Sequence, residues 1–141
     1  MLMTMSIRNQ LPGTITAIIP GEVMATVIVR LSGGQPLTAA ITREAVSELG
    51  LATGCTVRAL VKSTDVSLVT GTVEGLSIRN QLQGTVGDIT VGAAMASVKV
   101  SVDNGALTAV ITADAASDLA LTPGASVVAL IKSTDVALAT P

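Results

Sequence analysis

From Val23 to Leu31 the side chains alternate, with Val23, Ala25, Val27, Val29 and Leu31 on one face of the chain. A period of two is what a strand laid on a core imposes. Residues 94–102 repeat the pattern with Ala94, Ala96, Val98, Val100 and Val102, and there Lys99, Ser101 and Asp103 make the opposite face more clearly polar than Ile28 and Arg30 do in the earlier stretch. Around the first of these stretches the same reasoning predicts a strand over Leu11–Ile19, turned by Pro20 and Gly21, and a third strand over Leu37–Ile41. Thr42 is a good helix N-cap, Arg43–Leu49 a short helix, and Gly50 its stop. A fourth strand is expected over 56–62 and a last one over 66–69.

The chain then begins again. Ser6, Ile7, Arg8, Asn9, Gln10 and Leu11 return 71 residues later as Ser77, Ile78, Arg79, Asn80, Gln81 and Leu82, while Lys62, Ser63, Thr64, Asp65 and Val66 return 70 residues later as Lys132, Ser133, Thr134, Asp135 and Val136. One residue has been lost between the copies, and the turn Gly33, Gly34, Gln35, Pro36, opposite Asn104, Gly105, Ala106, is the natural place for it. Self-similarity at this period divides the chain into a first module over 1–70, a linker over 71–76 with two glycines, and a second module over 77–141. Five short strands and one short helix per module is the make-up of an OB-type barrel, so the expected fold is mainly β, two tandem OB-like five-stranded barrels. A barrel of this size buries only ~60% of the surface its unfolded chain exposes, and association is the expected help.

Composition narrows the chemistry. Phe, Tyr and Trp are absent, hydrophobic residues are 49% of the chain and charged residues 13%, so the core is built from Val, Leu, Ile, Ala and Met. A net charge of −2 gives no basic footprint for a nucleic acid, and an OB module that binds one also needs stacking rings. No apolar run is long enough for membrane insertion, and Met1–Met5 carries no basic segment leading into an apolar stretch, so a cytoplasmic protein is expected. With one cysteine and no histidine, one chain forms neither a disulfide nor a Cys/His metal site by side-chain coordination. Cys55 has Ala125 as its counterpart, which points to a small core-filling residue.

Of the eight basic residues, Arg8, Arg79, Lys62 and Lys132 lie in the two repeated motifs, whereas Arg30, Arg43, Arg58 and Lys99 face uncharged residues in the other copy. The motifs supply hydroxyls, backbone N–H groups, a guanidinium fork and an ammonium, the inventory that a small tetrahedral dianion requires. The plainer alternative is that Arg8 and Lys62 pair with Asp65, Glu44 or Glu48 as surface charges. An enzyme is disfavoured, since Lys62 and Ser63, adjacent on a strand, would point to opposite faces and not activate one another.

The segments Ser6–Thr14, Ala40–Thr42, Glu48–Leu51 and Ala59–Ser63 resemble the Mop family of molybdate/tungstate-binding proteins, whose motif is an S-x-R-N-Q opening and a K-S closing at module distance. The resemblance spans nearly the whole chain, twice. It implies oxyanion-binding roles for Ser6, Ile7, Arg8, Asn9, Thr42, Lys62 and Ser63, and for Ser77, Ile78, Arg79, Asn80, Thr112, Lys132 and Ser133. It implies second-type oxyanion sites at Gly21, Val23 and Met24 and at Gly92, Ala94 and Met95, where Met replaces the family's Asn and leaves backbone N–H groups as donors. It further implies a homotrimer of six modules, molybdate or tungstate as bound ligand, no organic cofactor, and intracellular molybdenum storage and homeostasis. The alternative within the family is an oxyanion-sensing regulatory module acting with a transporter or repressor.

Overall fold

A computed structural model describes residues 3–103 and 105–141. The first half contains β1 (Asn9–Pro20), β2 (Met24–Leu31), β3 (Pro36–Thr42), helix α1 (Arg43–Glu48), β4 (Thr56–Val61), a 3-10 turn (Ser63–Asp65) and β5 (Ser67–Val69). The second half repeats this as β6 (Asn80–Val91), β7 (Met95–Val102), β8 (Gly105–Thr112), α2 (Ala113–Asp118), β9 (Ser126–Ile131), a 3-10 turn (Ser133–Asp135) and β10 (Ala137–Ala139). The expected elements are present, in two curled five-stranded sheets of OB-like form, each accompanied by one short helix. Thr42 caps α1 by accepting from the Ala45 backbone N–H at 3.1 Å, and Thr112 caps α2 in the same way at 3.1 Å. Gly50, at φ +62°, ends the first helix in a backbone conformation that only glycine adopts cheaply.

The two sheets are not each made from one copy. Their strand orders are β10-β4-β1-β2-β3 and β5-β9-β6-β7-β8, so each copy takes its fifth strand from the other. Leu138 of β10 lies opposite Ala59 of β4, and Leu68 of β5 lies opposite Ala129 of β9, in the same register. The crossover begins at Lys62. Strand β4 ends at Val61, one residue earlier than the alternation suggested, and Lys62 and Ser63 start a 3-10 turn. The geometric objection to those two residues sharing a site therefore lapses, because they are not neighbours on a strand.

The core runs continuously through both sheets. Val27, Val29, Leu37, Ala39, Val57 and Val61 are fully covered in one, and Val98, Val100, Ala109, Ala129 and Ile131 in the other. Cys55 and Ala125 pack against its margin, half-buried. The β2–β3 and β7–β8 turns abut, so that a side chain at Gly33 would collide with Asp103. Asn104, the centre of the proposed one-residue deletion, lies outside the described residues.

Candidate functional site

Pairing of the first and fourth strands within each copy brings its two repeated motifs to one corner. Ser6, Ile7, Arg8, Lys62, Ser63 and Thr64 line an open recess of about 230 Å³, and Ser77, Ile78, Arg79, Lys132, Ser133 and Thr134 line its twin of about 220 Å³. Two segments more than 50 residues apart in sequence meet there because β1 pairs with β4 along its whole first half, Asn9 opposite Val61. Arg8 folds back over its own loop, with Nε donating to the Ser6 carbonyl at 3.1 Å and Nη2 to the Met5 carbonyl at 3.3 Å. Arg79 Nε donates to the Ser77 carbonyl at 3.2 Å. These bonds fix each guanidinium while leaving most of its five N–H donors for another acceptor.

Two observations separate these corners from ordinary surface. Among the described residues, no carboxylate of Asp65, Glu44 or Glu48 pairs with Arg8 or Lys62, so the surface-charge alternative has no ion pair to support it. In addition, Ser63 Oγ and Ser133 Oγ are the buried side-chain oxygens without a hydrogen-bond partner among the described residues. A buried hydroxyl left unpaired costs about 1–3 kcal/mol, and it recurs at the same place in both copies, beside a cation. The chemistry of this donor set, hydroxyl, ammonium, guanidinium and backbone N–H with no acceptor of opposite charge, fits a compact anion.

The remaining sequence candidates are placed elsewhere. The side chains of Asn9 and Asn80 are 3% and 2% exposed and are committed to the neighbouring module. Asn9 Nδ2 donates to the Thr108 carbonyl at 2.8 Å, and the Thr108 N–H donates to Asn9 Oδ1 at 2.8 Å. Asn80 makes the equivalent pair with Thr38, at 2.8 and 2.7 Å. Each amide thus pairs with both main-chain groups of a residue on an open sheet edge and docks the loop that carries Arg8 or Arg79. Sequence reasoning placed Asn9 and Asn80 in the sites but missed this use of their side chains, for which the repeat itself was the available signal. Thr42 and Thr112 spend their hydroxyls as helix caps and do not line the recesses.

At the hairpin tips, the Gly21 N–H donates to the Met24 carbonyl at 2.7 Å and the Gly92 N–H to the Met95 carbonyl at 2.8 Å. The Val23 carbonyl accepts from Arg43 N and the Ala94 carbonyl from Ala113 N, each at 2.8 Å. The tips carry exposed apolar side chains, with Val23 at 73%, Val91 at 62% and Ile19 at 57%. No described helix is long and apolar enough to cross a membrane.

Known proteins match both halves of the chain. Residues 5–68 and 76–138 each match the TOBE domain. The molybdenum transport protein ModE of Azotobacter vinelandii is 40% identical over 140 residues, covering 99% of this chain and 52% of that protein. Molybdenum-pterin-binding protein 2 of Clostridium pasteurianum is 40% identical over 67 residues, covering 48% of this chain and 98% of that one. The chain spans about half the length of the longer curated relatives it matches. Among solved structures, the cytoplasmic molybdate-binding protein ModG with molybdate bound superposes with a TM-score of 0.95 at 41% identity, covering 99% of this chain and 100% of that one.

Proposed function

Since this chain belongs to the TOBE domain family through both of its halves, we propose that it binds molybdate or tungstate, one dianion at each of the two corners. The observation that carries this is the coincidence, twice among the described residues, of a buried hydroxyl without a partner and a lysine and an arginine without an ion pair. A tetrahedral oxyanion answers both needs at once, accepting from Ser63, Lys62 and Arg8 in charge-assisted bonds. The likeness to a molybdate-loaded structure over the full chain supports the choice of anion. The bound species is the oxyanion itself, without an organic cofactor, and the role is intracellular molybdenum storage and homeostasis in the cytoplasm. A regulatory, anion-sensing role within a longer transport or repressor system is the second reading, favoured by the match to about half of a molybdenum transport protein.

Assembly belongs to the same proposal. The apolar tips recur in both modules, with Met24 at 43% and Met95 at 44% exposed, and a ring of three chains would cover them while bringing six modules together. Calorimetric titration with molybdate, tungstate and sulfate tests the function. Uptake of two molybdate or tungstate ions per chain through the corners is expected, and absence of heat with both would refute the reading. Light scattering tests the assembly, for which a mass of three chains is expected and a mass of one chain would refute it.

A further inference from the structure

We propose that Lys99 makes the two anion sites unequal, supplying the first corner (Ser6–Arg8 with Lys62–Thr64) with a third cation that the second corner lacks; this rests on the oxyanion-binding reading above. The linings of the two corners are identical in sequence, so an inequality has to come from residues around them. Within the first module Arg58 is spent on Gln10 Oε1 at 2.7 Å, and the other difference lies in the surface each corner is docked on. Because of the strand exchange, that surface belongs to the other module. The first corner's loop is held by Asn9 on the Thr108 backbone, and its 3-10 turn, Ser63–Asp65, packs on β8. Lys99 lies directly across from Thr108 on β7, and its Nζ donates to Thr108 Oγ1 at 2.9 Å. The second corner's loop is held by Asn80 on the Thr38 backbone, and its 3-10 turn packs on β3. Across from Thr38 lies Ile28. Both halves of each corner therefore grip the same strand patch, and that patch carries an ammonium in one case and a hydrocarbon in the other.

Lys99 is exposed, so its action on the anion is through water and is screened by salt. Through water, a cation ~5–10 Å from a dianion strengthens binding by about three- to tenfold at ~10 mM salt, an effect that falls steeply with distance and fades at ~1 M, where the Debye length is ~3 Å. Lys99 is a positioning residue for charge, not a ligand-contacting one.

The test is calorimetric titration of the full chain with sodium molybdate at about 10 mM and about 1 M salt. The parent chain is expected to show two affinity classes separated three- to tenfold at low salt, with Lys62→Ala removing the tighter class and Lys132→Ala the weaker. Lys99→Ile should bring the tighter class down to the weaker, Ile28→Lys should raise the weaker, and Lys99→Arg should leave the gap in place. At high salt the classes should merge in the parent. A gap that persists in Lys99→Ile, or that is insensitive to salt, would overturn the proposal. So would a single class in the parent that neither Lys99→Ile nor Ile28→Lys alters. Absence of any molybdate uptake by the parent would instead remove the oxyanion reading itself, and this inference with it. Since Lys99→Ile gives β7 the residue type that β2 already carries at this position, its melting temperature provides the check that the variant is folded.

Discussion

The anion corner and the hairpin tip are opposite solutions to exposure. At the corner, polar groups are gathered and, among the described residues, Ser63 Oγ is buried and unbonded with Lys62 beside it. At the tip, the polar groups are spent inside the turn and the apolar ones face outward, Gly21 N bonding to the Met24 carbonyl while Val23 stands 73% exposed. The first arrangement costs free energy that a hydrogen-bonding ligand returns, and the second costs free energy that another apolar surface returns. On the proposed reading a corner takes a small anion and a tip takes another chain, although both lie next to the same β1 strand.

Substitutions at the tip should have the greatest effect. Replacing Val23, Met24 and Met95 together by polar residues should lower the assembled mass to that of one chain, since each fully buried side chain of this kind contributes about 1.5–3 kcal/mol to the surface it covers; an unchanged mass in light scattering would assign assembly to another face. At the corner, Lys62→Ala with Lys132→Ala should weaken molybdate binding about 10- to 150-fold per site, the loss of a charge-assisted bond worth ~1.5–3 kcal/mol, while the melting temperature without ligand stays put. Should the double variant melt early without ligand, the lysines serve the fold and not the anion. Asn9→Ala leaves the Thr108 main-chain groups without their side-chain partners and should cost about 1–3 kcal/mol in denaturant unfolding, because Asn9 is buried.

A finer separation comes from Ser63→Ala with Ser133→Ala. Removing hydroxyls that have no partner should leave the ligand-free protein as stable as before or up to ~1 kcal/mol more so, yet weaken anion binding severalfold. Opposite signs in the two measurements are expected of a group kept for its ligand; a fall in both would make the serines structural. The smallest effect is expected for Arg30→Ala, an exposed cation on β2, which should leave molybdate affinity within about a factor of two.

Much of this was legible in the sequence, for identifiable reasons. Strands β2 and β7 announced themselves because one face of each is buried, and Thr42 and Gly50 marked the helix ends because capping chemistry is local. The repeated Arg and Lys stood out because duplication allows each copy to serve as a control on the other. The exchange was not legible. Leu68 and Leu138 dock at the same register on strands of nearly the same sequence, so no side chain states which copy a fifth strand will join. Asn9 was read only as part of an anion loop because its burial is a property of the neighbouring module, and Lys99 was set apart from the sites because it faces an uncharged residue in the other copy. Lys62 and Ser63 were assigned to a strand because alternation alone does not show where a ladder stops.

The exchange also has a consequence for how the chain is made. Strand β4 ends at Val61, yet its outer partner is Ala137–Ala139, so the first sheet lacks one strand until these much later residues have been synthesised. Domains usually complete themselves in order as they emerge from the ribosome, but here the earlier half must wait for the later one with a bare sheet edge. While it waits, β5 is the nearest strand of matching register, and pairing it with β4 would close a self-contained barrel that has to reopen before the native exchange can form. Pairings this distant in sequence are slow to find. Refolding of the chain should therefore show a slow phase, and a circular permutant that places residues 132–141 ahead of Ser6 should lose it.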